Sequence, residues 1–286
     1  MIFKKLNIKW INKCQNTYYT SISLWKKYIL ANKINSNSIK IFNSENGEYL
    51  YDILDKDNGI FEIKNADYIL ILNDILFRID NFLGICQVYN LNLNNIISVF
   101  IFKDLKLIKS LCEYYDNKYI IYALDNNNNI IKYEIDILDN YIKNIKKYNF
   151  LSLPKINISD ILIDLKFSRI LISDNVKSKL FILDLKGNIK KSINIEISKI
   201  IIHKNYYICT DNEIDTNMIH LIFRKNLKYE MSYMSEKIKN ISFMESIDDD
   251  IYILDNDCTL AKISLNNNNN LFLLTLGFFV SVLILK

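Results

Sequence analysis

Short runs of alternating apolar and polar residues, paired across turns that carry Asn, Asp or Gly, recur along most of this chain and leave few folds open to it. In the stretch SIKIFNSENGEYLYDI (38–53), Ile39 and Ile41 alternate with polar neighbours, as do Tyr49, Tyr51 and Ile53. That period of two belongs to a half-buried strand. The intervening NSENGE holds Gly47, one of only five glycines in 286 residues. Glycine reaches positive φ without a Cβ penalty, and a tight hairpin needs such a residue. The stretch is therefore predicted to be a β-hairpin that turns at Gly47.

The same grammar returns in YILILNDILFRID (68–80), KYIIYALDNNNNIIKYEID (118–136), RILISDNVKSKLFILDLKGNI (169–189), YYICTDNEIDTNMIHLIF (206–223) and DIYILDNDCTLAKISL (250–265). Their turns fall at Asn73-Asp74, in the Asn run, at Asp174-Asn175 and Gly187, at 211–217 and at Asp255-Asn256-Asp257. With YILA (28–31) opening the first unit, the units start near 28, 68, 118, 169, 206 and 250, so they are spaced 37 to 51 residues apart. Repeats of about 40–50 residues built from short strands mark the blades of a propeller. The expected fold is all-β: a β-propeller of six four-stranded blades, or seven if IISVFIF (96–102) belongs to another. A β-sandwich is the runner-up, but it has no need of so many similar hairpins. In the first unit YYTSISL (18–24), YILA (28–31), SIKIF (38–42) and YLYDI (49–53) read as strands one to four. The last unit stops at Leu265 after its third strand, and the alternating KLNIKW (5–10) is expected to supply the fourth and close the ring. Closure removes exposed sheet edges, a hazard in so isoleucine-rich a chain.

On this reading residues 1–265 form one propeller domain, the asparagines at 266–270 a linker, and 271–286 a transmembrane tail anchor. LFLLTLGFFVSVLIL (271–285) carries no charge and is apolar on all sides, with Leu271, Phe272, Phe278, Phe279 and Leu285 as its bulk. A helix of that length spans about 23 Å, short of a hydrocarbon core of about 30 Å. Local thinning and snorkelling of Lys286 cover the difference, and the thinner endoplasmic reticulum bilayer suits it best. A packed terminal helix or strand is the competing reading.

Residues 1–44 hold eight lysines and no carboxylate, while the remaining 242 hold 28 cations and 32 carboxylates. The body is thus mildly acidic, which argues against nucleic acid as a partner. The acid-free N-terminus also fits an import signal over residues 1–30. Cys14, Cys86, Cys112, Cys209 and Cys258 are scattered among apolar neighbours, as reduced buried thiols would be. No phosphate-binding glycine loop or nucleophile elbow can be written with five glycines. His203 and His220 have no cysteine or carboxylate at ligand spacing, so they read as core or blade-surface residues. DKDNG (55–59) lacks the closing Glu of a calcium loop, and DDD (248–250) reads as a solvated turn. Asp136, Asp184 and Asp255 follow apolar runs and read as turn caps. No catalytic residue, metal site, cofactor or small-molecule substrate is expected, and the chain does not read as an enzyme.

SIKIFNSENGEYLYDI also resembles the third and fourth strands of a WD-repeat blade, with Phe42 where that family prefers Trp and Asn43 where it prefers Asp. One family combines such a propeller with a single C-terminal membrane span: the endoplasmic-reticulum exchange factor that loads GTP onto the small GTPase initiating COPII coats. The chain is similar to it in architecture, although that family's glycine-rich potassium loop has no counterpart here. The resemblance implies a protein-interaction platform on the endoplasmic reticulum membrane, facing the cytosol, with a small GTPase as partner and no cofactor. The alternative is a non-catalytic subunit of a mitochondrial or other organellar membrane complex, with that complex's subunits as partners.

Overall fold

In the computed structural model the described residues are 3–14, 17–54, 63, 66–93, 95–101, 105–115, 118–138, 141–153, 156–211, 218–235, 237–238 and 240–265. They form six sheets, antiparallel apart from one parallel edge pair, arranged as the blades of a propeller. Blade 1 is β3 (Tyr19–Trp25), β4 (Tyr28–Lys33), β5 (Ile39–Asn43) and β6 (Tyr49–Ile53); blade 2 is β7 (Tyr68–Leu72), β8 (Ile75–Asp80), β9 (Ile85–Asn90) and β10 (Asn95–Ile101). Blade 3 is β11 (Leu105–Tyr115), β12 (Lys118–Asp125), β13 (Asn129–Leu138) and β14 (Tyr141–Ser152); blade 4 is β15 (Ile158–Asp164), β16 (Arg169–Asp174), β17 (Lys179–Asp184) and β18 (Ile189–Asn194). Blade 5 is β19 (Lys199–His203), β20 (Tyr206–Thr210), β21 (Met218–Phe223) and β22 (Lys228–Met234); blade 6 begins with β23 (Ile241–Ile247), β24 (Asp250–Asp255) and β25 (Thr259–Ser264). The fourth strand of blade 6 comes from the start of the chain: β2 (Asn7–Lys13) pairs antiparallel with β25. The preceding β1 (Phe3–Lys5) pairs in parallel with β22, so blade 5 has a fifth strand. The stretch 5–10 is therefore shared between two blades, and the buried Leu6 at the break packs into the core between them.

The core lies between blades, in six apolar clusters, one for each pair of neighbours. Strand alternation makes this arrangement possible. Tyr119, Ile121 and Ala123 of β12 point toward blade 2, while Ile120, Tyr122 and Leu124 point toward blade 4. A second strand is thus buried on both sides and reads as a continuous apolar run. The unit starts read from the sequence reflect this: 28, 118, 169, 206 and 250 begin second strands, and only 68 begins a first strand. The long spacings between 68 and 169 hold β11 and the unusually long β13 and β14, not a seventh blade. Residues 96–101 of IISVFIF belong to β10, the outer strand of blade 2, and Phe102 lies outside the described residues.

The innermost strands are bridged by side chains. Ser21 Oγ accepts from Ile69 N at 3.0 Å, Asp160 Oδ2 from Ile200 N at 2.7 Å, and His203 Nδ1 lies 2.7 Å from Ser246 Oγ. No helix among the described residues is long and apolar enough to cross a membrane. The linker 266–270 and the segment 271–286, with Leu271, Phe272, Phe278, Phe279 and Leu285, lie outside the described residues, as does DKDNG (55–59).

Candidate interaction faces

Antiparallel order gives the ring two faces. First-to-second and third-to-fourth turns share one, the hairpin face; second-to-third turns and blade-to-blade crossovers share the other, the crossover face. Contacts between blades agree with this: on the hairpin face Lys26 meets Asp74 at 3.2 Å, and Lys191 Nζ donates to Leu227 O at 2.7 Å.

Gly47 and Gly187 occupy third-to-fourth turns at φ 76 and 88. Each also sits under an outer-strand side chain of the preceding blade. A Cβ on Gly47 would lie 2.6 Å from the Trp10 ring, and one on Gly187 2.8 Å from Leu151 Cδ1. The glycines thus provide both a turn and a close approach between blades. Asp184 Oδ1 accepts from Lys186 N and Asn188 N, and Asp255 Oδ1 from Thr259 N. Asp136 departs from the turn-cap expectation: it lies within β13, in register with Lys118 and Asn144.

The crossover face presents apolar tips. Phe82 is 94% exposed beside Leu83 in the second-to-third turn of blade 2, Val176 is 74% exposed in that of blade 4, and Ile34 is exposed in that of blade 1. Aspartates at the ends of second strands brace such turns. Asp80 Oδ1 accepts from Leu83 N at 2.8 Å and Asp174 Oδ1 from Lys177 N at 3.1 Å. The tips therefore stand on fixed turns, where an exposed apolar side chain gains little from the fold itself.

Between blades 4 and 5 a cavity of about 590 Å³ opens toward the crossover face. Ile193, Ile195 and Met218 supply its apolar wall, and Glu196, Asp211 and Tyr229 its polar one. Asp211 Oδ1 accepts from Met218 N at 3.2 Å, which fixes that carboxylate in place. His220 also lines the cavity; its Nδ1 lies 2.8 Å from Ser232 Oγ and 3.1 Å from Tyr229 OH. Ser232 has no exposed surface, so this His–Ser contact is a packing bond and offers no accessible nucleophile. Burial, then the nearby Lys204 charge, lowers the pKa of His203, which favours its neutral ring. Among the described residues no three His, Cys, Asp or Glu side chains are placed to hold a metal. Asp249 of the DDD turn pairs with Lys204, and Asp250 with Lys9 at 2.5 Å and Lys262 at 3.0 Å.

The sequence reading missed Phe82, Val176 and the cavity. A signal existed for the first two, because Phe82 and Val176 stand in turns where polar residues are the rule. The cavity had none, since Ile193, Glu196, Asp211 and His220 meet only when two blades pack.

These features define a six-bladed β-propeller built from four-stranded antiparallel blades. No family model and no curated protein sequence matches the chain. The fold is similar to that of Saccharomyces cerevisiae Sqt1, with a TM-score of 0.59, 7% identity, and 92% of this chain and 100% of that one covered. It is also similar to the β-propeller domain of Cps50 (Swd1) from Myceliophteria thermophila, with a TM-score of 0.58, 9% identity, and 91% and 100% covered. A chain of the mitotic checkpoint complex shares it with a TM-score of 0.53, 10% identity, and 88% and 76% covered. At such identities the likeness establishes the fold alone.

Proposed function

We propose that the chain is a membrane-tethered propeller whose crossover face docks a protein partner. The observation that carries this reading is the set of exposed apolar tips, Phe82, Leu83 and Val176 on aspartate-braced turns and Ile34, whose N–H donates to Tyr18 O, on one closed scaffold. Rigid, partly apolar surfaces of this kind lose little entropy on binding. A matched propeller works within a multiprotein assembly, the mitotic checkpoint complex, and that use of the fold supports the reading. The uncharged run at 271–285 supplies the tether. No covalent chemistry and no cofactor are assigned.

The most concrete form of this role is guanine-nucleotide exchange for the small GTPase of endoplasmic-reticulum exit, with the propeller on the cytosolic side. The purified full chain in detergent should speed nucleotide release from that GTPase. Phe82→Ser combined with Val176→Ser should weaken the effect and leave the fold intact. No acceleration by a folded chain would end the exchange reading. The alternative, a structural subunit of a mitochondrial membrane complex, is favoured by the acid-free residues 1–44. However, residues 7–13 form a strand of blade 6, and 19–25 and 28–33 form strands of blade 1, so removing residues 1–30 as an import signal would dismantle the closure. A reporter fused to residues 1–35 should reach mitochondria only under that alternative.

A further inference from the structure

We propose that the hairpin face lies on an anionic lipid surface, with blades 4 and 5 as its basic contact. This rests on the tether reading above and adds to it which face the membrane meets and which lipids it selects.

The direction in which the chain leaves the fold is the first ground. Strand β25 ends with Ser264 in register with Asp250, the residue that opens β24 directly after the first-to-second turn of blade 6. Ser264 also pairs with Asn7, at the start of the closing strand. The chain therefore leaves blade 6 on the hairpin face. Only the five asparagines 266–270 separate Leu265 from the uncharged run. Five residues reach about 17 Å when fully extended. A bilayer that holds residue 271 onward thus lies close to the hairpin face and away from the crossover face.

Charge is the second ground. On the hairpin side of blades 4 and 5 the turns and adjoining strand ends expose Lys166, Lys186, Lys190, Lys204, Lys225 and Lys228. Asp184, on the third-to-fourth turn of blade 4, is held by Lys190 at 3.0 Å, and Lys204 is held by Asp249. Lys166, Lys186, Lys225 and Lys228 make no ion pair among the described residues, and the one further exposed carboxylate on this side of the two blades, Glu230 beside Lys228, accepts from Tyr206, so cations remain in excess there. The crossover side of the same blades sets Lys177, Lys179 and Lys199 against Asp174, Glu196 and Asp211, with no such excess. Anionic headgroups attract a basic surface within about one Debye length, roughly 8 Å at physiological salt. Exposed apolar residues accompany the lysines at third-to-fourth turns of the same face: Leu138 and the 72%-exposed Tyr141 on blade 3, and Ile189 on blade 4. Tyrosine is a preferred residue at the headgroup level.

The test reconstitutes the full chain into vesicles of phosphatidylcholine alone and of phosphatidylcholine with phosphatidylserine at three to one. Flotation reports insertion, and amide hydrogen exchange reports which turns are covered. The expected result is protection of the hairpin-face turns at 165–168, 185–188 and 224–228 on the anionic vesicles only. That protection should be lost in 1 M salt, where screening is complete within about 3 Å. Lys186→Glu with Lys225→Glu and Lys228→Glu should abolish it while flotation persists. The three side chains are exposed and make no ion pair among the described residues, so the variant keeps its fold. A chain that floats but shows no protection of the hairpin-face turns on either vesicle, or is protected on the crossover face instead, overturns the docking and leaves the tether standing. Equal protection on neutral vesicles overturns the choice of anionic lipid. A folded chain that floats with neither vesicle overturns the tether reading itself, and the docking with it.

Discussion

The seam between blades 4 and 5 and the seam that closes the ring, between blades 6 and 1, solve the same packing problem with different chemistry. At the first, the Arg224 guanidinium meets the Asp164 carboxylate as a fork, Nη2 to Oδ1 at 2.8 Å and Nε to Oδ2 at 3.0 Å. Tyr207 OH donates to the same carboxylate at 2.7 Å, Arg224 Nη1 donates to Lys204 O at 2.9 Å, and the Phe167 ring lies 5.1 Å from the guanidinium. Both charges are buried. The closing seam instead gathers donors on one neutral acceptor. Ser44 O accepts from Trp10 Nε1 at 3.3 Å, Lys262 Nζ at 3.1 Å and Tyr252 OH at 3.4 Å, while Asn12 Nδ2 donates to Gly47 O at 2.7 Å. A carbonyl served by three donors tolerates the loss of one, whereas a buried carboxylate served by one guanidinium does not tolerate the loss of that partner. The fourth–fifth seam therefore depends on charge balance and the closing seam on shape, above all on Trp10 lying flat over a residue without a Cβ.

The largest expected effect tests the charged half of this contrast. Asp164→Ala strands Arg224 in a dry seam and should destabilise the fold by about 3–5 kcal/mol in urea denaturation. Asp164→Leu combined with Arg224→Met removes both charges and should recover most of that loss. A double variant as unstable as the single one would mean that the fork, and not the stranded charge, sets the cost. The shape-dependent half is tested by Gly47→Ala. Gly47 has φ 76, and its added methyl would meet a ring already held by a hydrogen bond to Ser44 O. The expected loss is about 2 kcal/mol. Gly187→Ala carries the same backbone penalty but meets only the swinging end of Leu151, so it should cost about half as much. Equal costs at the two glycines would remove the special role of Trp10.

The two seams were unequally legible in the sequence, for the same physical reasons. Second strands announce themselves because both of their faces are buried, as in KYIIYALD, so the blades could be located before their edges. Gly47 marks its turn because so few glycines exist. The corresponding turn of blade 5 has the same closing bond, Leu227 N to Phe223 O at 2.8 Å, but places Leu227 at φ 60 and so leaves no glycine to read. Phe3–Lys5 is too short to show alternation, and its parallel pairing with β22 depends on where Leu6 is buried. Asp164 and Arg224 are sixty residues apart, and nothing in either neighbourhood announces the other. The exposed tips Phe82 and Val176 were visible as apolar residues in turns, yet only the fold shows that they share a face.

A subtler contrast lies in protonation. Beside the closing seam, Glu245 on the innermost strand of blade 6 accepts from Ser23 Oγ of blade 1 at 3.3 Å, while its Oε2 is sealed from solvent and has no hydrogen-bond partner among the described residues. Desolvation pushes its pKa up to about 8, against the opposing pull of the Ser23 and Leu24 donors. At neutral pH this carboxyl is therefore protonated in the folded state, whereas in the unfolded chain it is ionised above its ordinary value of 4.5. The folded state then binds the extra proton, so its contribution to stability is complete below pH 4.5 and is lost as pH rises toward 8. The slope from this one group is at most about 1.4 kcal/mol per pH unit. Glu245→Gln mimics the neutral form and should flatten the slope between those limits, leaving stability at pH 5 nearly unchanged and raising it at pH 8. Urea midpoints measured across that range for the natural chain and the variant decide the matter. Parallel curves would show that the closing seam holds its carboxylate ionised, and the two seams would then differ in geometry but not in how they handle charge.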